Sequence, residues 1–189
     1  LTANAAKVTK TKKSYEIAIV FDNSGSMYDE NSKMAWCRAK YAMEIFASML
    51  NYDNGDKLWI FPMWEVTDGI PQNDDKGSYD PIPITNKEDI NRITNLYTTN
   101  PAGTPFAPVV EAHEYMNTSQ ATEKWIIVLT DGEFNLDVDR VSSISFTKEK
   151  LVEKFKIVAA DGINVQYLGF EAADDVSKYQ SNNFYAKKS

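Results

Sequence analysis

Short, almost continuous apolar runs alternate along the chain with longer amphipathic segments. Three runs have the length of strands covered on both faces: YEIAIVF (15–21), KWIIVLTD (124–131) and INVQYLGF (163–170). A fourth run, KLWIFPMW (57–64), also predicts a strand, but Pro62 favours an edge position for its far end. Apolar residues recur at helical spacing in three segments: 30–51, 105–117 and 147–162. This alternation predicts an α/β fold with a doubly wound, mostly parallel sheet and helices on both faces.

Weaker patterns predict further elements between and after these. Residues 65–83 are rich in proline, glycine and acids, which predicts a long loop that includes a short edge strand. Thr85 and Glu88 have the spacing of a capping box and predict a helix start. The predicted elements are an edge strand near 79–84, a helix from 85 to about 97, a helix at 171–180 and a last strand at 183–188.

The helix predicted at 30–51 has an apolar stripe. Met34, Cys37, Tyr41, Ile45 and Leu50 fall near helical spacing, and Trp36 in the same helix is expected to lie against the sheet. Cys37 is the only cysteine, which excludes an internal disulfide. Its apolar surroundings predict a buried, inert thiol.

Composition and charge narrow the classes of protein. A length of 189 residues with 43% hydrophobic residues fits one domain, assigned to residues 15–189, after a polar tail or linker at 1–14. A net charge of −7 argues against nucleic acid or an anionic membrane surface as the main partner. No apolar run reaches the roughly 18 residues of a transmembrane helix. Because the chain opens at Leu1 without an apolar leader, we expect a mature fragment or an excised domain of a larger protein. We expect this domain to be monomeric.

Hydroxyl and carboxylate side chains follow the predicted strands. Asp22, Ser24 and Ser26 follow the first strand, Asp131 ends the third apolar run, and Thr104 lies in the loop before a predicted helix. The carboxyl ends of parallel strands meet at one edge of a sheet, where ligands bind in such folds. Three hydroxyls and two carboxylates are hard oxygen donors, which suit Mg²⁺, or Mn²⁺ or Ca²⁺, better than zinc. Two carboxylates would only neutralise the charge of a divalent ion. If the hydroxyls coordinate the ion directly and the acids act partly through water, the ion stays electrophilic, and an open coordination position would favour a carboxylate from a partner.

Other interpretations of these residues remain open at this stage. Asp22 and Ser24 also suit a strand-to-helix turn with capping residues. Asp22 has the position of a nucleophile in phosphatases of the haloacid dehalogenase kind, but Ser24 stands where those enzymes have a second acid. A serine hydrolase needs a base, and the only histidine, His113, is expected about 12–13 Å along a helix from the site. No phosphate-binding G-x-x-x-x-G-K-[ST] loop occurs.

The three loops together resemble the von Willebrand factor type A domain. D-x-S-G-S after an apolar strand, G-T-P about 80 residues later and T-D-G after the next buried strand follow the order of that family, over residues 15 to about 187. The resemblance implies a six-stranded sheet with one short antiparallel edge strand, and a metal-ion-dependent adhesion site that holds Mg²⁺. Ser24, Ser26 and Thr104 would be direct ligands, and Asp22 and Asp131 would ligate the ion or hold its waters.

Two positions depart from the family pattern without removing a ligand. Asn23 stands where an apolar residue or threonine is more usual, and Ala102 where a second glycine is common. In this family, ligand binding is often coupled to movement of the last helix, here residues 172–180. Acidic loops elsewhere raise the alternative of a second ion; their acids are Asp74, Asp75, Asp80, Asp137 and Asp139.

The function expected from this resemblance is non-enzymatic binding of a protein. An acidic side chain of the partner would complete the coordination of Mg²⁺, and the domain would act outside the cell or at the surface of a bacterium. The alternative is an intracellular assembly or chaperone-associated module, in the cytoplasm, that works with an ATPase partner.

Overall fold

The computed structural model describes residues 12–28, 33–64, 66–67, 70–71, 81–86, 88–90, 103–131, 134–140, 142–143 and 146–169. The strands are β1 (Tyr15–Phe21), β2 (Lys57–Pro62), β3 (Val66–Thr67), β4 (Ile70–Pro71), β5 (Ile82–Ile84), β6 (Glu123–Thr130) and β7 (Asn164–Gly169). The α-helices are α1 (Lys33–Met49), α2 (Ala107–Thr118) and α3 (Lys148–Ala160). Short 3-10 helices span Gly25–Tyr28 and Tyr52–Asn54. In the described part of the chain, no helix combines the length and the apolar character needed to span a bilayer.

Five of the strands form one sheet in the order β5-β2-β1-β6-β7. β1 pairs in parallel with both β2 and β6, and β6 pairs in parallel with β7. β5 runs antiparallel along β2, which confirms the predicted antiparallel strand at this edge of the sheet. The sheet is mostly parallel, as predicted. The sixth strand, predicted at 183–188, and the helix predicted at 171–180 lie outside the described residues.

Helices cover both faces of this sheet because side chains alternate along each strand. On β1, Ile17, Ile19 and Phe21 face the cluster that contains α1. Ala18 and Val20 face the opposite cluster, which contains α2 and α3. The continuous apolar pattern of β1 therefore reflects burial on both faces, and the prediction of helices on both faces is confirmed.

Trp36 of α1 lies against the sheet as predicted, but the stripe that contains Cys37, Tyr41 and Ile45 is not the buried face. The side chains that α1 buries are Ala35, Trp36, Ala39, Met43 and Ala47. Cys37 is exposed, Tyr41 is 65% exposed and Ile45 is 41% exposed. Two apolar stripes have helical spacing in this sequence, and the one rich in alanine packs on the sheet because small side chains let a helix approach closely. The prediction of a buried thiol at Cys37 fails for the same reason.

Two local details also differ from expectation. Within the loop predicted at 65–83, β3 and β4 form a separate two-stranded antiparallel sheet. The two residues between them are Asp-Gly, a pair that favours tight hairpins. The cap predicted between Thr85 and Glu88 is made with Asp89 instead, whose Oδ2 accepts hydrogen bonds from the Thr85 N–H (2.9 Å) and hydroxyl (2.8 Å). The body of that helix, at 91–97, lies outside the described residues.

Candidate functional site

The carboxyl ends of β1 and β6 bring the two predicted acidic residues to one edge of the sheet. Phe21 pairs with Leu129 at the end of the β1–β6 ladder. The Asp22 N–H continues this ladder by donating to the Leu129 carbonyl at 2.8 Å. Asp131 lies directly after the last residue of β6. Parallel pairing therefore places Asp22 and Asp131 on neighbouring strand ends, as the sequence predicted.

Asp22 is fully buried, and internal donors hold both of its carboxylate oxygens. Its Oδ1 accepts from the Ser24 N–H at 2.9 Å, and its Oδ2 accepts from the Thr130 hydroxyl at 2.5 Å. Burial raises the pKa of the Asp22 carboxyl above its usual range, while the hydrogen bonds from Ser24 and Thr130 oppose that shift. A nearby cation would favour the charged carboxylate.

The two serines connect Asp22 to Asp131. The Ser24 and Ser26 hydroxyl oxygens are 3.0 Å apart, and the Ser26 hydroxyl donates to Asp131 Oδ1 at 3.1 Å. Both hydroxyls therefore point the same way. Ser24 is buried and Ser26 is exposed. The row of oxygens thus leads from the interior of the sheet to solvent.

Thr104 is held at the same edge by the loop that follows β6. Its N–H donates to Asn135 Oδ1 at 2.6 Å, and its carbonyl accepts from the Asn135 N–H at 3.0 Å. The preceding Gly103 has φ of +116°, and a Cβ there would lie 2.6 Å from Asn135 Oδ1. A side chain at position 103 would therefore be strained and would displace Asn135. Thr104 is connected to the serines indirectly, through Trp64, which donates to the Gly103 carbonyl.

This donor set fits a hard divalent cation. Adjacent ligands of an octahedral Mg²⁺ at about 2.1 Å are separated by about 3.0 Å. The observed oxygen separations are 3.0 Å between Ser24 and Ser26 and 3.1 Å between Ser26 and Asp131. All of these donors are hydroxyl or carboxylate oxygens, whereas zinc sites favour cysteine and histidine. The residues would therefore suit Mg²⁺ or Mn²⁺.

His113 lies away from this group of oxygens. Its Nε2 is 2.7 Å from Asp161 Oδ2 and 3.2 Å from Asn117 Nδ2. Asp161 follows α3 and precedes β7, so this cluster lies at the amino edge of the parallel sheet. The hydrogen bond with His113 is the main reason that the pKa of the Asp161 carboxyl is lowered.

The acids of the loop after β6 contact other groups of the chain. Asp137 Oδ1 is 3.3 Å from Lys154 Nζ, and Asp139 accepts from the Ser142 N–H at 3.0 Å. The described part of the chain contains no cluster of three or more histidine, cysteine or acidic side chains that could hold a metal ion. The acids at positions 74, 75 and 80 lie outside the described residues.

Sequence reasoning missed the residues that join the site loops to one another. Asn23, Trp64, Asn135 and Arg140 are not oxygen ligands of the predicted set, but each bridges segments at the carboxyl edge of the sheet. Asn23 carried a signal, since a polar side chain there departs from the pattern of similar loops. Trp64 carried no such signal, because it ends an apolar run (57–64) that predicts only a strand.

Comparisons with known proteins find likeness in structure rather than in sequence. No protein-family model matches the chain, and no curated protein sequence matches it. The pilus adhesin SpaC from Lactobacillus rhamnosus GG, in its open conformation, has a TM-score of 0.57 at 16% identity, over 95% of this chain and 28% of SpaC. Proximal thread matrix protein 1 from the mussel byssus has a TM-score of 0.52 at 17% identity, over 83% of this chain and 38% of that chain.

A von Willebrand factor type A protein from Catenulispora acidiphila has a TM-score of 0.50 at 20% identity. That match covers 83% of this chain and 33% of the other. The chain thus spans well under half the length of each of these proteins. At these identities the shared property is the fold: a mostly parallel sheet between helices, like that of von Willebrand factor type A domains.

Proposed function

We propose that this chain is a non-enzymatic, metal-dependent protein-binding domain of the adhesion type. Mg²⁺, or Mn²⁺ or Ca²⁺ in its place, would be held by Asp22, Ser24, Ser26, Thr104 and Asp131. The observation that carries the proposal is the continuous hydrogen-bonded row from Asp22 through the two serines to Asp131, at the carboxyl edge of the sheet.

The roles of the residues follow from charge and exposure. Asp22 and Asp131 supply two negative charges, and the hydroxyls are neutral ligands. With the hydroxyls bound directly and the acids acting partly through water, a divalent ion would stay electrophilic and keep an affinity for one more anionic ligand. Ser26 is exposed, so the row of oxygens opens to solvent on that side. A carboxylate on the surface of a protein partner is the ligand that such an opening favours.

Contacts within the site also support a binding function over nucleophilic catalysis. A serine nucleophile needs an adjacent base, but the only histidine of the chain is paired with Asp161 at the opposite edge of the sheet. Asp22 is fully buried with both oxygens engaged, which is unfavourable for attack on a substrate. The fold shared with proteins described as pilus adhesins supports a role outside the cell or at the cell surface, as one domain of a larger protein.

Calorimetric titration with MgCl₂ and MnCl₂ tests the metal dependence. The unaltered chain is expected to bind one ion, and Ser26→Ala is expected to weaken that binding because a direct ligand is lost. Ser48→Ala is the matched control, because the Ser48 hydroxyl donates to the Ile45 carbonyl on the exposed side of α1. Absence of divalent binding by the unaltered chain would overturn the proposal.

The open position is tested with acetate as the simplest carboxylate. With Mn²⁺ bound, water molecules on the ion enhance the relaxation of solvent protons. Acetate is expected to lower this enhancement by replacing such a water, whereas formamide at the same concentration leaves it unchanged. An enhancement that acetate does not alter would contradict the role given to the partner's carboxylate.

A further inference from the structure

Trp64 contacts two of the three site loops at once. It lies just beyond β2 and is almost completely buried. Its backbone N–H donates to Asn23 Oδ1 at 2.8 Å, and its carbonyl accepts from Asn23 Nδ2. Its indole Nε1 donates to the Gly103 carbonyl at 2.9 Å. One buried residue thus bridges the loop after β1 and the loop before α2.

The two contacted residues are direct chain neighbours of proposed ligands. Asn23 lies between Asp22 and Ser24, and Gly103 immediately precedes Thr104. The side chain of Asn23 binds both polar backbone groups of Trp64, so its orientation is fixed by two hydrogen bonds. Movement of Trp64 would therefore change the distance between the Ser24 and Thr104 hydroxyls, although Trp64 itself contributes no ligand.

Arg140 holds the Trp64 segment in place from the other side. Its guanidinium donates to the Met63 carbonyl and to Glu111 Oε1 of α2, the latter at 3.1 Å, and lies 5.9 Å from the centre of the Trp64 ring. Arg140 is buried and has φ of +59°, a conformation that is unfavourable for residues other than glycine. Such a conformation persists where the surrounding contacts fix it. Through these contacts Arg140 joins the segment that carries Trp64 to α2 and to the loop after β6.

We propose that Trp64 is a positioning residue that sets the distance between the first and second metal-binding loops. This inference rests on the proposed function, because it concerns the same ion. The contacts of Trp64 hold the two loops close to the positions that they need for metal binding before an ion is present. Binding of the ion therefore requires less ordering of these loops. Loss of a residue that orients ligands typically lowers metal affinity about 10- to 100-fold.

The test compares two tryptophans near the same strand. Trp64→Phe keeps an aromatic ring and removes the indole N–H that binds the Gly103 carbonyl. Trp59→Phe is the matched control: its Nε1 donates to Glu16 Oε1 at 2.8 Å, near the other end of β2. In calorimetric titration with MgCl₂, Trp64→Phe is expected to raise the dissociation constant about tenfold or more. Trp59→Phe is expected to leave that constant unchanged, although both variants lose a partly buried hydrogen bond and are expected to unfold at a lower temperature.

Asn23→Ala provides a second variant that retains the indole ring. It removes both hydrogen bonds to the Trp64 backbone and no proposed ligand, so it is expected to weaken Mg²⁺ binding as Trp64→Phe does. If the unaltered chain binds Mg²⁺ and both variants bind it as well as Trp59→Phe does, this inference alone is overturned. An equal loss of affinity in Trp59→Phe would also overturn it, since the effect would then be global. If the unaltered chain binds no divalent ion, the proposed function fails first.

Discussion

β1 carries a buried acid near each of its ends, and the two acids have different surroundings. Glu16, at the amino edge of the sheet, accepts from the Trp59 indole at 2.8 Å and from the Ser119 hydroxyl at 2.5 Å. Asp22, at the carboxyl edge, accepts from the Ser24 N–H and the Thr130 hydroxyl. Each acid is buried and has two neutral donors, so burial and hydrogen bonding do not distinguish them.

The two ends of β1 differ in the polar groups that lie beyond the buried acid. Around Glu16 the donors belong to a strand and to the residue after α2, and both oxygens are occupied by these partly buried hydrogen bonds. Beyond Asp22, the two serines and Asp131 extend the row of oxygens to an exposed hydroxyl. Convergent oxygens that reach solvent therefore mark the candidate site, and a buried acid alone does not.

Matched amide substitutions are expected to give the largest contrast between the two edges. Asp22→Asn and Glu16→Gln each replace an accepting oxygen with an amide NH₂, so each should lower the free energy of unfolding by about 1–3 kcal/mol. Only Asp22→Asn should abolish Mg²⁺ binding, since it removes one of the two charges at the proposed site. Urea titration measures the first effect and calorimetry the second. Loss of Mg²⁺ binding in Glu16→Gln would contradict the distinction between the two edges.

Two glycines with positive φ allow a finer contrast. Gly103 (φ +116°) precedes Thr104 at the carboxyl edge, and Gly162 (φ +75°) follows α3 at the amino edge. Alanine in a left-handed conformation costs about 1–2 kcal/mol. Gly162→Ala should show that cost alone, because nothing lies within 4 Å of the added Cβ. Gly103→Ala should add about 1–3 kcal/mol from the clash with Asn135.

Mg²⁺ affinity separates the two glycine variants further. Gly103→Ala displaces the backbone next to Thr104 and is expected to weaken the binding of Mg²⁺, whereas Gly162→Ala is expected to leave it unchanged. Calorimetric titration of both folded variants measures this difference. Equal affinities would show that the conformation at Gly103 does not control the position of the Thr104 hydroxyl.

Much of the carboxyl edge could be predicted from the sequence because its geometry follows from strand order. An apolar run ended by an acid predicts a parallel strand and the edge at which it ends, and Asp22, Ser24, Ser26 and Asp131 do lie in one hydrogen-bonded row. Their role as metal ligands stays a prediction. The contact between Asn23 and Trp64 could not be predicted, because a separation of 41 residues is resolved only by the packing of the folded sheet.

The face of α1 could not be predicted for a different reason. Both the stripe with Tyr41 and Ile45 and the stripe with Ala39 and Met43 satisfy helical spacing, so periodicity alone does not choose between them. The choice is made by the packing of the folded helix, which buries three alanines together with Trp36 and Met43. Tyr41 and Ile45 stay exposed, whereas Leu50 is half-buried against the cluster that contains α1.

The smallest expected effect concerns pH at the amino edge. The pKa of the Asp161 carboxyl is lowered, first by the hydrogen bond with His113 and then by that with Asn117. A lowered pKa means that the folded state favours the charged form. The stabilisation is therefore present above the unfolded-state pKa of about 4 and is lost as the pH falls through the lower folded-state value. Asp161→Asn should thus be slightly less stable than the unaltered chain at pH 7, and the two should converge towards pH 3.

Urea titrations at pH 7, 5 and 3 measure this convergence, and Mg²⁺ adds a second comparison. Because the His113–Asp161 contact lies at the edge opposite the proposed site, Asp161→Asn should bind Mg²⁺ at pH 7 with unchanged affinity. A difference in stability that stays constant down to pH 3 would mean that the variant acts through packing rather than charge. A change in Mg²⁺ affinity would mean that the two edges of the sheet are coupled, contrary to the separation drawn from Glu16 and Asp22.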